Sequence, residues 1–269
     1  MSPALLDTAA ILHFSGDLKQ FLFLNKHYKL LKNFASAVEQ PFLGQGTVLY
    51  PATRRASIKD IIESLGPPHA LVGSLVINRK NSTFSHIIAP GDEVFIHPLT
   101  PPCDVREPSL LRPDPLPGYS FLVDANAGRL AKHLRLLGFD TAYDPGLTDK
   151  ELASTAASEN RIVVTKDRNL LKRSIIVYGY LIRSEEPQFQ LRELLRFFGL
   201  KPPYRFYSRC IHCNGKPRPV AKETIMDRLL PLTRKHIHDF VLCPDCNRIY
   251  WRGSHHERMR ERYGDLYDG

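Results

Sequence analysis

The sequence predicts an α/β domain with a parallel sheet flanked by helices, ending in a small four-cysteine lobe and preceded by a separate α+β domain. Three observations carry this prediction. From residue 119 onward short apolar runs alternate with helical patterns. Four of the five cysteines fall into two Cys-x-x-Cys pairs, Cys210/Cys213 and Cys243/Cys246. Seven of the 21 prolines crowd between Pro98 and Pro117. Such a proline-rich stretch cannot be helix or central strand and reads as a stiff, extended linker. The expected organisation is an α+β domain over 1–100, a linker over 101–118, an α/β domain over 119–200, and a metal-bound basic segment over 201–269. Lys201-Pro202-Pro203 marks the last boundary.

In the first domain Thr47–Tyr50 reads as a strand, Ser57–Leu65 as a helix capped by Ser57, and Ser74–Asn78 and Glu93–His97 as strands. Pro90-Gly91-Asp92 supplies the turn before the last of these. The segment Asn25–Gln45 receives no assignment. After the linker, Phe121–Val123 is a short apolar strand. Gly128–Leu137 follows as a helix with Leu130, Leu134 and Leu137 at helical spacing, stopped by Gly138. Next come a strand at Phe139–Tyr143, a helix at Asp149–Glu159, a strand at Arg161–Thr165 and a short helix at Asn169–Arg173. A strand near Ile175–Tyr180 and a helix at Gln188–Phe198 complete the order. Alternating strands and helices imply a parallel sheet covered on both faces.

A chain of 269 residues with 43% hydrophobic content can build two cores. Met1–Phe14 lacks a basic start followed by an apolar run, and no stretch approaches the roughly 18 apolar residues of a membrane span. A cytoplasmic location away from membranes is the expectation. The net charge is +9, and residues 201–269 hold 14 basic against 8 acidic side chains. That basic end is a candidate polyanion surface, although basic side chains are also common on ordinary solvated faces.

Chemistry in parallel sheets gathers beyond the carboxyl ends of the strands. Asp124 follows the first strand of the α/β domain directly, and Asp167 stands in the same relation to Arg161–Thr165. Asp149 and Glu151 open the helix between them. Converging carboxylates repel unless a divalent cation neutralises them, and Mg²⁺ or Mn²⁺ prefers such hard oxygen ligands. Each acid also has a plain structural reading. Thr148-x-x-Glu151 is a capping box, and an Asp after a strand often caps the next helix. One glycine in Asp124–Gly128 is too few for dinucleotide binding.

Two Cys-x-x-Cys pairs separated by 29 residues suit tetrahedral thiolate coordination of Zn²⁺. Four thiolates close the shell, so this zinc is expected to be structural, and Cys103 is left over as an inert thiol. Tyr250 and Trp251 either stack on bases with Arg252 and His255 beside them or pack the lobe's core.

The run Phe121-Leu122-Val123-Asp124-Ala125-Asn126-Ala127-Gly128-Arg129-Leu130 through Leu137-Gly138-Phe139-Asp140 resembles the opening of the Mut-seven C-terminal RNase family. Leu147–Leu152, Val164–Leu171, Ser208–Asn214 and Tyr250–His255 resemble its later blocks, so the resemblance covers roughly 119–263. It implies a PIN-like nuclease fold with an appended zinc ribbon. Within that fold it implies that Asp124 and Asp167, with Asp149, Glu151 or both, bind catalytic Mg²⁺ or Mn²⁺. Asp144 is the candidate for a fourth acid, and His133 stands where the family's first helix carries an aromatic residue. Ala56–Gly66, Val76–Asn78 and Pro90–Val94 resemble the ubiquitin-like β-grasp domains related to sulfur carriers. Here the last strand runs on into His97-Pro98, so there is no terminal Gly-Gly to activate, and a binding or positioning role is expected.

The expected function is hydrolysis of RNA phosphodiester bonds by metal-activated water, without a covalent protein nucleophile. Arg129, Lys132, Lys166 and Arg168 are candidates for neutralising phosphates or are simply solvated charges. Expected partners are RNA, with tRNA or another structured RNA as examples, and a ribonucleoprotein engaged by the N-terminal domain. A non-catalytic RNA- or ribosome-binding adaptor is the alternative.

Overall fold

The computed structural model describes residues 8–22, 46–253, 261 and 263–267. The unassigned segment Asn25–Gln45 and the candidate His255 lie outside these residues.

In the N-terminal domain five strands form one sheet: β1 Ala9–Phe14, β2 Thr47–Pro51, β3 Val72–Ile77, β4 Lys80–Asn81 and β5 Glu93–Pro98, in the order β2-β1-β5-β3-β4. β1 runs parallel to β5, while β1–β2, β5–β3 and β3–β4 are antiparallel. Helix α1, Ile58–Leu65, covers one face because Ile58, Ile61, Ile62 and Leu65 form a single apolar stripe, all buried. Ser57 caps it, accepting from the Asp60 N–H at 3.1 Å. Strand β1 was not anticipated, although Ala10, Leu12 and Phe14 alternate inward along it.

The segment predicted as an extended spacer is folded down instead. Val105 and Leu116 are buried in the core of the next domain, and Leu116 N–H donates to Val105 C=O at 2.8 Å. Arg112 is 4% exposed and ties the two domains together. Its guanidinium donates to the carbonyls of Val72 and Ala70 at 2.8 and 2.9 Å and to that of Val177 at 3.1 Å. Prolines stiffen this strap, but its apolar and guanidinium side chains decide where it lies.

The α/β domain holds four parallel strands, β6 Phe121–Val123, β7 Thr141–Ala142, β8 Ile162–Thr165 and β9 Gly179–Leu181, in the order β7-β6-β8-β9. Alternate residues face opposite sides. Phe121, Val123, Ile162 and Val164 pack with helices α2 (Gly128–Leu136) and α4 (Pro187–Phe197), while Leu122 and Val163 pack with α3 (Asp149–Ser158). Gly138 ends α2 with φ +92°, where a Cβ would stand 2.3 Å from the Arg205 carbonyl oxygen, so only glycine fits.

Three predicted elements differ. The strand expected over Phe139–Tyr143 shrinks to two residues, with Phe139 packed into the core instead. The strand near Ile175–Tyr180 moves to Gly179–Leu181, because Ile175 and Val177 remain exposed. The short helix at Asn169–Arg173 is a single 3₁₀ turn.

The C-terminal lobe is an antiparallel sheet of β10 Arg218–Val220, β11 Phe240–Leu242 and β12 Ile249–Trp251 around Ile225, Leu229 and Phe240. Helix α5, Pro231–His236, lies outside that small core. Among the described residues no helix is long and apolar enough to cross a membrane.

Candidate active site and metal centre

The order β7-β6-β8-β9 corresponds to 2-1-3-4 along the chain. The connection leaving β6 therefore runs to one side and the connection leaving β8 to the other, and the sheet opens a crevice between the carboxyl ends of these two strands. Asp124 and Asp167 lie at that crevice. The Asp124 carboxylate accepts from Ala125 N–H, the Asn126 amide and the Thr165 hydroxyl, each at 2.6 Å. Thr165 Oγ1 in turn accepts from Asp167 N–H at 2.8 Å, so a single hydroxyl links the two aspartates' strand ends. Asn126 spans the crevice too, its Oδ1 accepting from Lys166 N–H at 2.9 Å. Asp167 Oδ1 takes the Asn169 N–H at 2.7 Å.

The other acids are held individually. Glu151 Oε2 accepts from Thr148 N–H at 2.8 Å and from the Thr148 hydroxyl at 2.7 Å, completing a capping box on α3. The bonds from the Thr148 hydroxyl and backbone hold the Glu151 carboxyl below its ordinary pKa. Asp149 lies 3.6 Å from Arg173, and Asp144 accepts from Gly146 N–H in a turn. Among the described residues, the carboxylates at this edge do not gather three ligand atoms close enough to share one ion. Two hard donors on adjacent strand ends are nevertheless a set that suits Mg²⁺ or Mn²⁺, which commonly takes one or two carboxylates and completes its shell with water and substrate phosphates.

The candidate cations divide. Arg129 and Lys132 are exposed on α2. Lys166 pairs with Glu185 at 2.5 Å, and the Arg168 guanidinium lies 5.9 Å from the Phe21 ring centroid of the N-terminal domain. Asn126 and Thr165 are uncharged, and their nearness in sequence to the two aspartates is the only signal that marks them; Glu185 lies 18 positions beyond Asp167 and is brought to Lys166 only by the fold.

The second site is the cysteine quartet. The sulfurs of Cys210, Cys213, Cys243 and Cys246 all lie within 4.8 Å of one another, with Cys210–Cys246 at 3.6 Å and Cys213–Cys243 at 3.5 Å. Zn–S bonds of about 2.3 Å in a tetrahedron require edges of about 3.8 Å, so this donor set fits zinc. Each pair is a Cys-x-x-Cys-Asn turn. Asn214 and Asn247 adopt φ of +73° and +58°, and their N–H groups donate back to Cys210 and Cys243 carbonyls at 2.9 and 2.8 Å. Asn tolerates that left-handed conformation better than most residues. Burial, with the neighbouring thiols, pushes the Cys213 thiol up to about 12. Burial also opposes ionisation of Cys210, but the Tyr250 hydroxyl and backbone N–H groups outweigh it and bring that thiol down to about 7. Four crowded thiols cannot all ionise without a cation among them.

Tyr250 points its hydroxyl at Cys210 Sγ, 2.9 Å away, which favours the packing reading for this residue. Trp251 is 42% exposed with an edge contact to Phe240, and Arg252 is exposed. His133 is engaged by the Tyr263 hydroxyl.

The quartet is bolted to the α/β domain. Asp140 accepts from Arg161 at 2.7 Å, Arg209 at 2.9 Å and Asn214 at 2.8 Å. Burial alone would raise the Asp140 pKa, but these hydrogen bonds and guanidinium charges hold it below its ordinary value. Arg135 donates to His212 C=O at 2.6 Å and to Thr141 C=O at 2.8 Å.

Comparison with family models gives two matches, the Mut7-C RNAse domain over residues 119–263 and the Mut7-C ubiquitin domain over residues 26–104. No curated protein and no solved structure matches the chain.

Proposed function

Because this chain belongs to the Mut7-C RNAse domain family, we propose that it is a PIN-like, Mg²⁺- or Mn²⁺-dependent ribonuclease with a structural zinc ribbon. The observation that carries this reading is the placement of Asp124 and Asp167 on adjacent strand ends, joined through Thr165, where the strand order reverses.

In this proposal Asp124 and Asp167 hold the cation, with Glu151 or Asp149 as the third carboxylate. The chemistry that a cation held by these residues would supply is activation of water for attack on the phosphodiester and relief of charge on the leaving 3′ oxygen. Asn126 and Thr165 orient the Asp124 carboxylate through their 2.6 Å bonds. Arg129 and Lys132 neutralise the RNA backbone along α2. Lys166 is held close by Glu185, in a position to meet a phosphate once that pair opens. Trp251 and Arg252 extend the RNA surface onto the ribbon. The N-terminal domain serves as a binding module for RNA or a ribonucleoprotein, since β5 continues into the strap instead of ending in an activatable glycine. Four cysteines committed to one metal suit a reducing compartment such as the cytoplasm.

A second reading, a non-catalytic RNA- or ribosome-binding adaptor, draws on the absence of a three-carboxylate group among the described residues. Cleavage of end-labelled tRNA and unstructured RNA with Mn²⁺ or Mg²⁺ separates the two. The nuclease reading expects Asp124→Asn and Asp167→Asn each to lose cleavage by roughly 100-fold or more, the scale of losing one electrostatic contact to a transition state, while remaining folded. RNA binding without cleavage by the unaltered protein would leave the adaptor.

A further inference from the structure

A cleft of about 970 Å³ opens between the N-terminal domain and α4. Leu18 and Phe21 form one wall, and Tyr180 and Leu181 of β9 form part of the floor. The other wall presents Phe189, Arg192 and Arg196, spaced three and four residues apart on one helix face. Phe189 is 54% exposed, unusual for so large an apolar side chain.

The charged lining is unequal. Its two acids are occupied: Asp17 pairs with Arg183 at 2.8 Å, and Glu193 accepts from the Tyr180 hydroxyl and from Arg183 and Ser184 N–H groups. With Arg183, Arg192, Arg196 and Lys201 against Asp17 and Glu193, the lining carries four basic and two acidic side chains.

The cleft also adjoins the acid edge. Leu181 pairs with Thr165 in the parallel ladder, so the floor leaves the sheet beside the residues that lead to Asp167. Arg168, directly after Asp167, lies over Phe21 of the cleft wall, and Glu185, directly after Ser184, pairs with Lys166.

We propose that this cleft is a track for single-stranded RNA, stacking an unpaired base on Phe189 and holding phosphates at Arg192, Arg196 and Lys201 as the strand runs toward Asp124 and Asp167. The proposal rests on the ribonuclease reading and adds its substrate class. An exposed ring with cations on the same stripe is the composition of a single-strand surface, where stacking is indifferent to base identity and the charges follow the backbone. A duplex keeps its bases stacked on one another and has none to offer Phe189.

The test is fluorescence anisotropy of labelled oligouridine with the full-length protein, carrying Asp124→Asn to suppress cleavage. Phe189→Ala is expected to weaken binding roughly tenfold or more, the effect of losing one stacked base, and Phe189→Trp to restore it. Arg192→Gln with Arg196→Gln is expected to reduce the salt slope of log Kd by about 1.4, at about 0.7 per phosphate of a single strand. Wild-type affinity in these variants, or equal affinity for a duplex of the same length, overturns the track and leaves the cleft to a protein partner. Parallel cleavage assays on proteins retaining Asp124 separate the two claims. Cleavage by the unaltered protein, combined with unchanged binding in the variants, removes the track and keeps the nuclease. Lost binding in the variants, with no cleavage by the unaltered protein, removes the nuclease and keeps an RNA-binding cleft.

Discussion

The cysteine quartet and the acid edge are both collections of residue types able to ligate metals, yet one is assembled and the other is not. Four sulfurs converge within 4.8 Å, each pair carried on a turn closed by an Asn N–H. The carboxylates instead spend their oxygens on local duties, Asp124 on a 3₁₀ turn and Thr165, Glu151 on a capping box. The physical difference lies in what each ligand can do without its ion. A thiol is a weak hydrogen-bonding group, so nothing but the metal rewards bringing four together. A carboxylate finds backbone N–H donors readily and repels its own kind, so without an ion it settles on local partners.

Removing the metal should hurt the two regions in opposite ways. Cys243→Ser, or chelation of the quartet, is expected to unfold the C-terminal lobe, because structural zinc supplies on the order of 10 kcal/mol of folding free energy at such sites. Limited proteolysis within 205–253 and loss of one bound metal per chain, measured by metal analysis, check this. Stripping Mg²⁺ or Mn²⁺ alone is expected to leave the melting curve nearly unchanged. A large stabilisation by Mg²⁺ without RNA would show that the acids are preassembled after all, and the contrast would fail.

The bolt between the regions should be intermediate. Asp140→Asn leaves Arg161 and Arg209 without their shared charge partner, and is expected to cost about 2 kcal/mol, in the range for hydrogen bonds to charged groups. Its pH signature has a definite sign. The folded pKa of Asp140 is depressed, so its contribution is present above the unfolded carboxyl pKa of about 3.9 and is lost as pH falls toward the lower folded value. The Asn variant should therefore lose less stability than the unaltered protein when denaturation midpoints are compared between pH 6 and pH 3. Parallel curves would mean that the network does not carry the coupling.

The smallest effect sharpens the acid edge itself. Glu151→Gln preserves the capping box, since Gln serves at that position, but removes the charge. Stability is expected to change no more than for ordinary surface substitutions, while cleavage falls about tenfold. Unchanged cleavage would make Glu151 a cap and pass the third ligand position to Asp149.

Much of this was legible in the chain. The cysteine pairs carry their own spacing, and Thr148-x-x-Glu151 is a capping box read from four residues and found as such. Helices α1 and α2 were legible because their apolar stripes and their end signals, Ser57 and Gly138, agree. These features depend on residues close in sequence, where backbone geometry alone relates one side chain to the next. Tertiary structure decided the rest. The short strands β7 and β9 are only two and three residues long, too few for a period to declare itself. The proline-rich strap looked like a spacer because its fate depends on Val105, Leu116 and Arg112 finding partners in two domains. That Asp124 and Asp167, 43 positions apart in the chain, flank the point where strand order reverses follows from β8 pairing with β6 instead of β7. Sequence can place an acid at the end of a strand. Which strand lies beside it is settled only when both faces of the sheet are buried together.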